Sequence, residues 1–231
     1  MLQSLLLGVI AQSALLLSGL AVYFVTVPPR IVGWLAGFGA GALISAVAFD
    51  LIAQDEMEGL ADLEITIWLM VGALIFIGGD RLVERRFGEG GEAGALGIVL
   101  GSVVDAVPES IILGIQVAVG FPISVAFIFA IWISNVPQAL APSVDLAESG
   151  WRISKVALMW SGVVIASALA AGLGFLLASN ISGVNGARMA ALAAGGILAM
   201  LTDSLLPFAF DRGGDLTGIW TVVGFATAFA M

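Results

Sequence analysis

Residues 101–114 read GSVVDAVPESIILG, an apolar run that carries two acids, Asp105 and Glu109, with Pro108 between them. On a helix, positions i and i+4 share a face, so the two carboxylates point the same way, and Ser102 and Gln116 extend their stripe. Proline lacks a backbone N–H and clashes with the carbonyl four residues earlier, so Pro108 predicts a kink that frees the Val104 carbonyl beside Asp105. Carboxylates next to an exposed carbonyl make a ligand set for a hard cation.

The rest of the chain explains why this pairing is unusual. Of 231 residues, 60% are hydrophobic and 11% charged, with a mean hydropathy of +1.11. A soluble domain carries about a quarter charged residues, and a membrane-crossing helix needs about 20 apolar ones. The composition therefore predicts an all-α polytopic membrane protein whose environment is the lipid bilayer, with residues 1–231 forming one transmembrane domain. The chain has no cysteine and no histidine, so thiolate and imidazole metal sites, imidazole catalysis and disulfides are all excluded. The net charge of −9 argues against nucleic acid as a partner. The first apolar run has no basic leader and exceeds a signal-peptide core, so it reads as a true span.

Apolar runs broken by polar or Gly/Pro punctuation predict eight spans, near 5–26, 31–54, 64–80, 95–119, 121–145, 152–178, 187–211 and 215–231. The short last run and the tight connection at Pro122 leave seven and nine open. Arg30, Arg81, Arg85, Arg86, Arg152, Lys155 and Arg212 fall in the odd-numbered loops, against Arg188 alone elsewhere. Basic residues concentrate on the cytoplasmic side, which places both termini outside. The outward stretch holding Asp55, Glu56, Glu58, Asp62 and Glu64 then reads either as an acidic mouth that concentrates cations or as a solvated loop.

Acids inside spans cost about 2.5–3.5 kcal/mol each on insertion scales and usually face a cavity, a partner or a pathway. Asp50, Asp105, Glu109 and Asp203 are such acids, with no Lys or Arg at similar depth in the sequence, so a cation or a proton is their expected counter-charge. The fifth span repeats the motif as WISNVPQALAPS: with Pro137 laid on Pro108, Ser134 meets Asp105, Asn135 meets Ala106, and Gln138 meets Glu109. Paired proline-broken segments in two halves of a chain point to a midplane transport site built from an inverted repeat. The structural alternative for Ser134, Asn135 and Gln138 is plain helix–helix hydrogen bonding.

The DAVPES and SNVPQA segments resemble the His-Asn-x-Pro-Glu-Gly-type motifs in the fourth and fifth helices of the ZIP (Zrt-, Irt-like) divalent-metal transporters. GALISAVAFDLIAQ is similar to that family's second helix, and AGGILAMLTDSLLPFAF to its seventh, with Asp203 before Leu-Leu-Pro. The resemblance implies eight spans in a 3+2+3 arrangement and a divalent cation as substrate. It also implies a metal site of Asp105, Glu109, Ser134, Asn135 and Gln138, with Asp50 and Asp203 along the pathway. Asp105 and Ala106 replace the family's His and Asn, Gln138 replaces a Glu, and the sixth span lacks an acid. An oxygen-only set suits Mg, Ca or Mn more than zinc; the choice among Zn, Mn, Fe and Mg stays open. A second metal is not expected.

The same residues admit three other readings. A ZIP-like membrane protein with a binding or regulatory role needs the same fold without flux. An intramembrane aspartyl protease fits poorly, because the Gly-Gly-Asp at Asp80 lacks the Gly-x-Gly-Asp spacing, so no enzyme is expected. Proton-coupled transport of an organic solute completes the set. Small-residue stretches such as GLAVY, GFGAGALIS and ALAAGGILAM permit close packing within a protomer or in a homodimer. Short loops suggest economy of a prokaryotic inner-membrane kind.

Overall fold

The predicted apolar runs all become helices, because a backbone in lipid must satisfy its own N–H and C=O groups. The computed structural model describes residues 1–53, 61–87, 92–120, 123–180 and 186–231, and no strand occurs among them. Helix α1 spans Leu2–Ala21 and α2 spans Pro29–Ala46, continuing as a π-helical segment over Val47–Ile52. Then follow α3 (Asp62–Phe87), α4 (Glu92–Val119), α5 (Val125–Glu148) and α6 (Ile153–Asn180). Helix α7 (Gly186–Met200) passes through a second π-helical segment, Leu201–Leu205, into α8 (Leu206–Gly213). After one 3-10 turn at Gly214–Leu216 the chain ends in α9 (Thr217–Phe229).

Local chemistry sets several of these bounds. Pro29 opens α2, where its missing N–H costs nothing, and the Ser124 hydroxyl caps α5 by accepting from the Phe127 N–H at 3.4 Å. Helices α4 and α5 are continuous through Pro108, Pro137 and Pro142. The breaks in regular α-helix fall instead at the two π segments, which hold Asp50 and Asp203.

Among the described residues, seven stretches are long and apolar enough to cross a membrane, consistent with an integral membrane protein. The count is seven because Gly186–Phe229 forms one nearly continuous helical stretch of 44 residues. Within it Gly214 adopts φ +64°, and α9 turns back along α2, with Thr217 beside Gly37 and Thr221 beside Gly41. At 13 residues α9 is shorter than a full crossing. Leu74, Leu158, Leu169 and Val222 stay exposed on the outside of the bundle, as lipid-facing side chains do. Residues Asp55, Glu56 and Glu58 of the acidic stretch, and Phe121–Pro122, lie outside the described residues. Glu64 of the same acidic stretch pairs with Arg188 at 2.7 Å.

Small residues let the helices approach closely, as van der Waals packing in lipid requires. Helix α4 packs most extensively against α6, α2 against α9, and α3 against α7. Each pair crosses reciprocally: Gly114 meets the Ala171 carbonyl while Gly174 meets that of Ile111, and Gly72 meets Leu192 while Gly195 meets Leu69. A Cβ on Gly114 would come 1.9 Å from the Ala171 oxygen, whereas Gly162 has nothing within 4 Å. Gly114→Val is therefore expected to destabilise the protein by about 2 kcal/mol or more through overpacking, and Gly162→Ala to stabilise it by roughly 0.5–1 kcal/mol. Unfolding in detergent micelles checks this; matching responses from the two variants would mean the crossings do not govern stability.

Candidate functional site

Helices α4 and α5 touch each other only slightly, and α1 lies between them, packed on both. One side chain on α1 makes the connection. Gln12, fully buried, donates from Nε2 to Glu109 Oε2 of α4 at 3.1 Å, and its Oε1 accepts from Asn135 Nδ2 of α5 at 2.8 Å. Asn135 Nδ2 also reaches the Ala11 carbonyl at 3.4 Å. Each end of the Gln12 amide thus has a fixed role, as donor to a carboxylate and acceptor from an amide.

Glu109 is 1% exposed, and its second oxygen, Oε1, has no hydrogen-bond partner. A buried carboxylate in that position needs a proton or a cation to balance it. The hydroxyls of Ser110 and Ser167 and Gln116 Oε1 are also buried without partners. Among the described residues no three carboxylates cluster closely enough to hold a metal ion by themselves.

Toward one end of the bundle lies a cavity of about 360 Å³. Helix α4 contributes Ser102 and Asp105, α3 contributes Asp80, and α5 contributes Gln138 and Asp145. Ser204 of the second π segment and Arg212 of α8 complete its polar lining. Asp80, Asp145 and Arg212 all sit near the C-terminal ends of their helices, and Ser102 in the first half of the antiparallel α4.

The residues predicted as a single metal shell thus divide into two groups. Asp105 and Gln138 line the cavity, while Glu109 and Asn135 meet through Gln12 behind it. Ser134 belongs to neither group: it lies against Gly39 of α2, with its hydroxyl donating to the Ile131 carbonyl at 2.9 Å. Asp50 lies near Ser124 at the opposite end, and Asp203 is exposed, although its neighbour Ser204 reaches the cavity. Pro108 and Val104 border a separate apolar hollow between α3, α4 and α7. The face of α4 that holds the proline is therefore not the face that holds the acids.

Gln12 was legible by the rule that flagged the acids, since an amide inside an apolar run is also costly to bury, but it stands alone without a motif. Asp80, Asp145 and Arg212 sit near span ends, where charge is ordinary, and only the packing brings them together.

Removing Gln12 leaves Glu109 without its donor and Asn135 Nδ2 with only its longer bond to the Ala11 carbonyl; an unmet buried polar group costs about 1–3 kcal/mol. Gln12→Leu and Glu109→Leu are expected to destabilise singly and to be markedly non-additive together, because the double variant strands fewer partners. A double-mutant cycle on chemical unfolding in micelles reads the coupling directly; additive losses would show that the bridge carries no weight.

No family model matches the chain, and no curated protein is significantly similar to it.

Proposed function

We propose that the protein is a ZIP-like carrier of divalent cations, crossing the membrane eight times with both termini outside. The observation that carries this reading is Glu109 Oε1, a fully buried carboxylate oxygen without a partner, one helical turn from the acid-lined cavity at Asp105. A proton-linked or metal-linked step needs such an oxygen: held in place through its twin, yet free to take a positive ligand. Gln12 and Asn135 do the holding.

On this reading the cavity opens to the cytoplasm, and a cation passes between Glu109 and Asp105, with Gln138 adding a neutral oxygen. The matching π segments around Asp50 and Asp203 support the inverted repeat, since π segments recur at functional sites. The all-oxygen chemistry favours Mn²⁺ or Mg²⁺ as substrate over zinc. The membrane is expected to be a prokaryotic inner membrane.

A second reading, a ZIP-like protein that binds cations without moving them, draws on the absence of a three-carboxylate cluster among the described residues. Proteoliposomes tested for Mn²⁺ uptake separate the two. Transport by the parent chain and its loss in Glu109→Ala, with the fold retained, is the expected result. Binding without flux in the parent leaves the second reading, and neither binding nor flux removes both. Asp105→His combined with Gln138→Glu is expected to shift uptake from Mn²⁺ towards Zn²⁺, because imidazole is the softer ligand; an unaltered Zn²⁺/Mn²⁺ ratio would move selectivity away from α4 and α5.

A further inference from the structure

The cavity beside Asp105 holds a positive charge of its own. Arg212 lines it together with Asp80, Asp105 and Asp145, so among the described residues a guanidinium and three carboxylates share one cavity. Its position is built rather than incidental. The guanidinium carbon lies 5.0 Å over the Phe208 ring, itself part of the cavity wall. The backbone next to it is clamped: Trp34 Nε1 donates to the Gly213 carbonyl at 3.0 Å, and Gly33 is so close to Gly213 that a Cβ would come 2.2 Å from its nitrogen. Thr217 Oγ1 ties the last turn of α8 through the Ala209 carbonyl at 3.1 Å. These contacts hold the root of the side chain, and its charged end lies over Phe208 in the wall of the cavity that the acids line.

We propose that Arg212 is a tethered competitor for the substrate cation: its guanidinium neutralises part of the acidic lining when the cavity is free and repels a divalent ion held there. This rests on the carrier reading and adds a determinant of affinity to it. Arginine keeps its charge at any physiological pH, so the opposition is permanent. It weakens retention at the cytoplasmic end, where a carrier must let its ion go.

The test is Mn²⁺ binding to purified protein in nanodiscs, followed by electron paramagnetic resonance of the free ion at constant pH and ionic strength. Arg212→Gln is expected to bind Mn²⁺ on the order of tenfold more tightly, as removal of a like charge sharing a small cavity requires. Arg212→Lys is expected to bind like the parent, and Asp105→Asn more weakly. Arg212→Met keeps the stem over Phe208 and takes the place of the glutamine form if that does not fold. Unchanged or weaker binding in a folded neutral variant overturns the proposal, because an arginine that only buttresses α8 predicts lower thermal stability and no gain in affinity. If the parent and Asp105→Asn both fail to bind, or bind equally well, the cation site itself is wrong and the competitor falls with it. Tighter binding in Arg212→Gln alongside weakened binding in Asp105→Asn establishes both.

Discussion

A carboxylate inside an apolar bundle is the constraint around which this protein is organised. Glu109 cannot face lipid, and no charged side chain among those described forms an ion pair with it. Its position is tolerable because Gln12 offers a donor at the right depth, and Gln12 is in turn held by Asn135. The three helices that carry these residues are thereby locked in register, since a shift of any one by a residue would turn its polar group away. A buried polar chain of this kind favours one arrangement among many that an apolar interior would accept equally well. Alanine and glycine then let the backbones close around it, through crossings in which a carbonyl on one helix fills the space over a glycine on the next.

The two faces of α4 serve different purposes. Asp105 and Glu109 look toward α1 and the cavity, while Val104 and Pro108 border an apolar hollow of about 310 Å³ between α3, α4 and α7. The missing N–H of Pro108 thus lies on the apolar side. Irregular backbone occurs where the other acids are, at the π segments of α2 and the α7–α8 run. These segments sit on helices that pack against each other, and each puts one carboxylate where the regular carbonyl ladder is interrupted. From end to end the charged groups differ: Asp50 near Ser124 at one end, Glu109 in the middle, and a mixed acidic and basic chamber at the other.

Much of the fold could be read from hydropathy, because lipid permits so few solutions. The run 152–178 becomes Ile153–Asn180 and the run 95–119 becomes Glu92–Val119, with neither displaced by more than a few residues. The carboxylate pair was equally legible, since the i, i+4 spacing fixes a shared face whatever the neighbours do. Aligning residues by their prolines did not by itself say which neighbour each would face. Ser134 follows the motif yet faces Gly39, because the side of α5 it occupies is the one packed on α2.

Sequence alone determined the helical class, the shared face of Asp105 and Glu109, and the cost of leaving them without a counter-charge; all of these depend on covalent chemistry and local periodicity. Only the tertiary structure decided that α1 stands between α4 and α5, that Gln12 bridges them, and that Arg212 joins Asp80, Asp105 and Asp145 around one cavity. Those residues are distant in the chain and lie on different helices. Which helices become neighbours depends on how small side chains mesh across a whole bundle, and no local pattern records that.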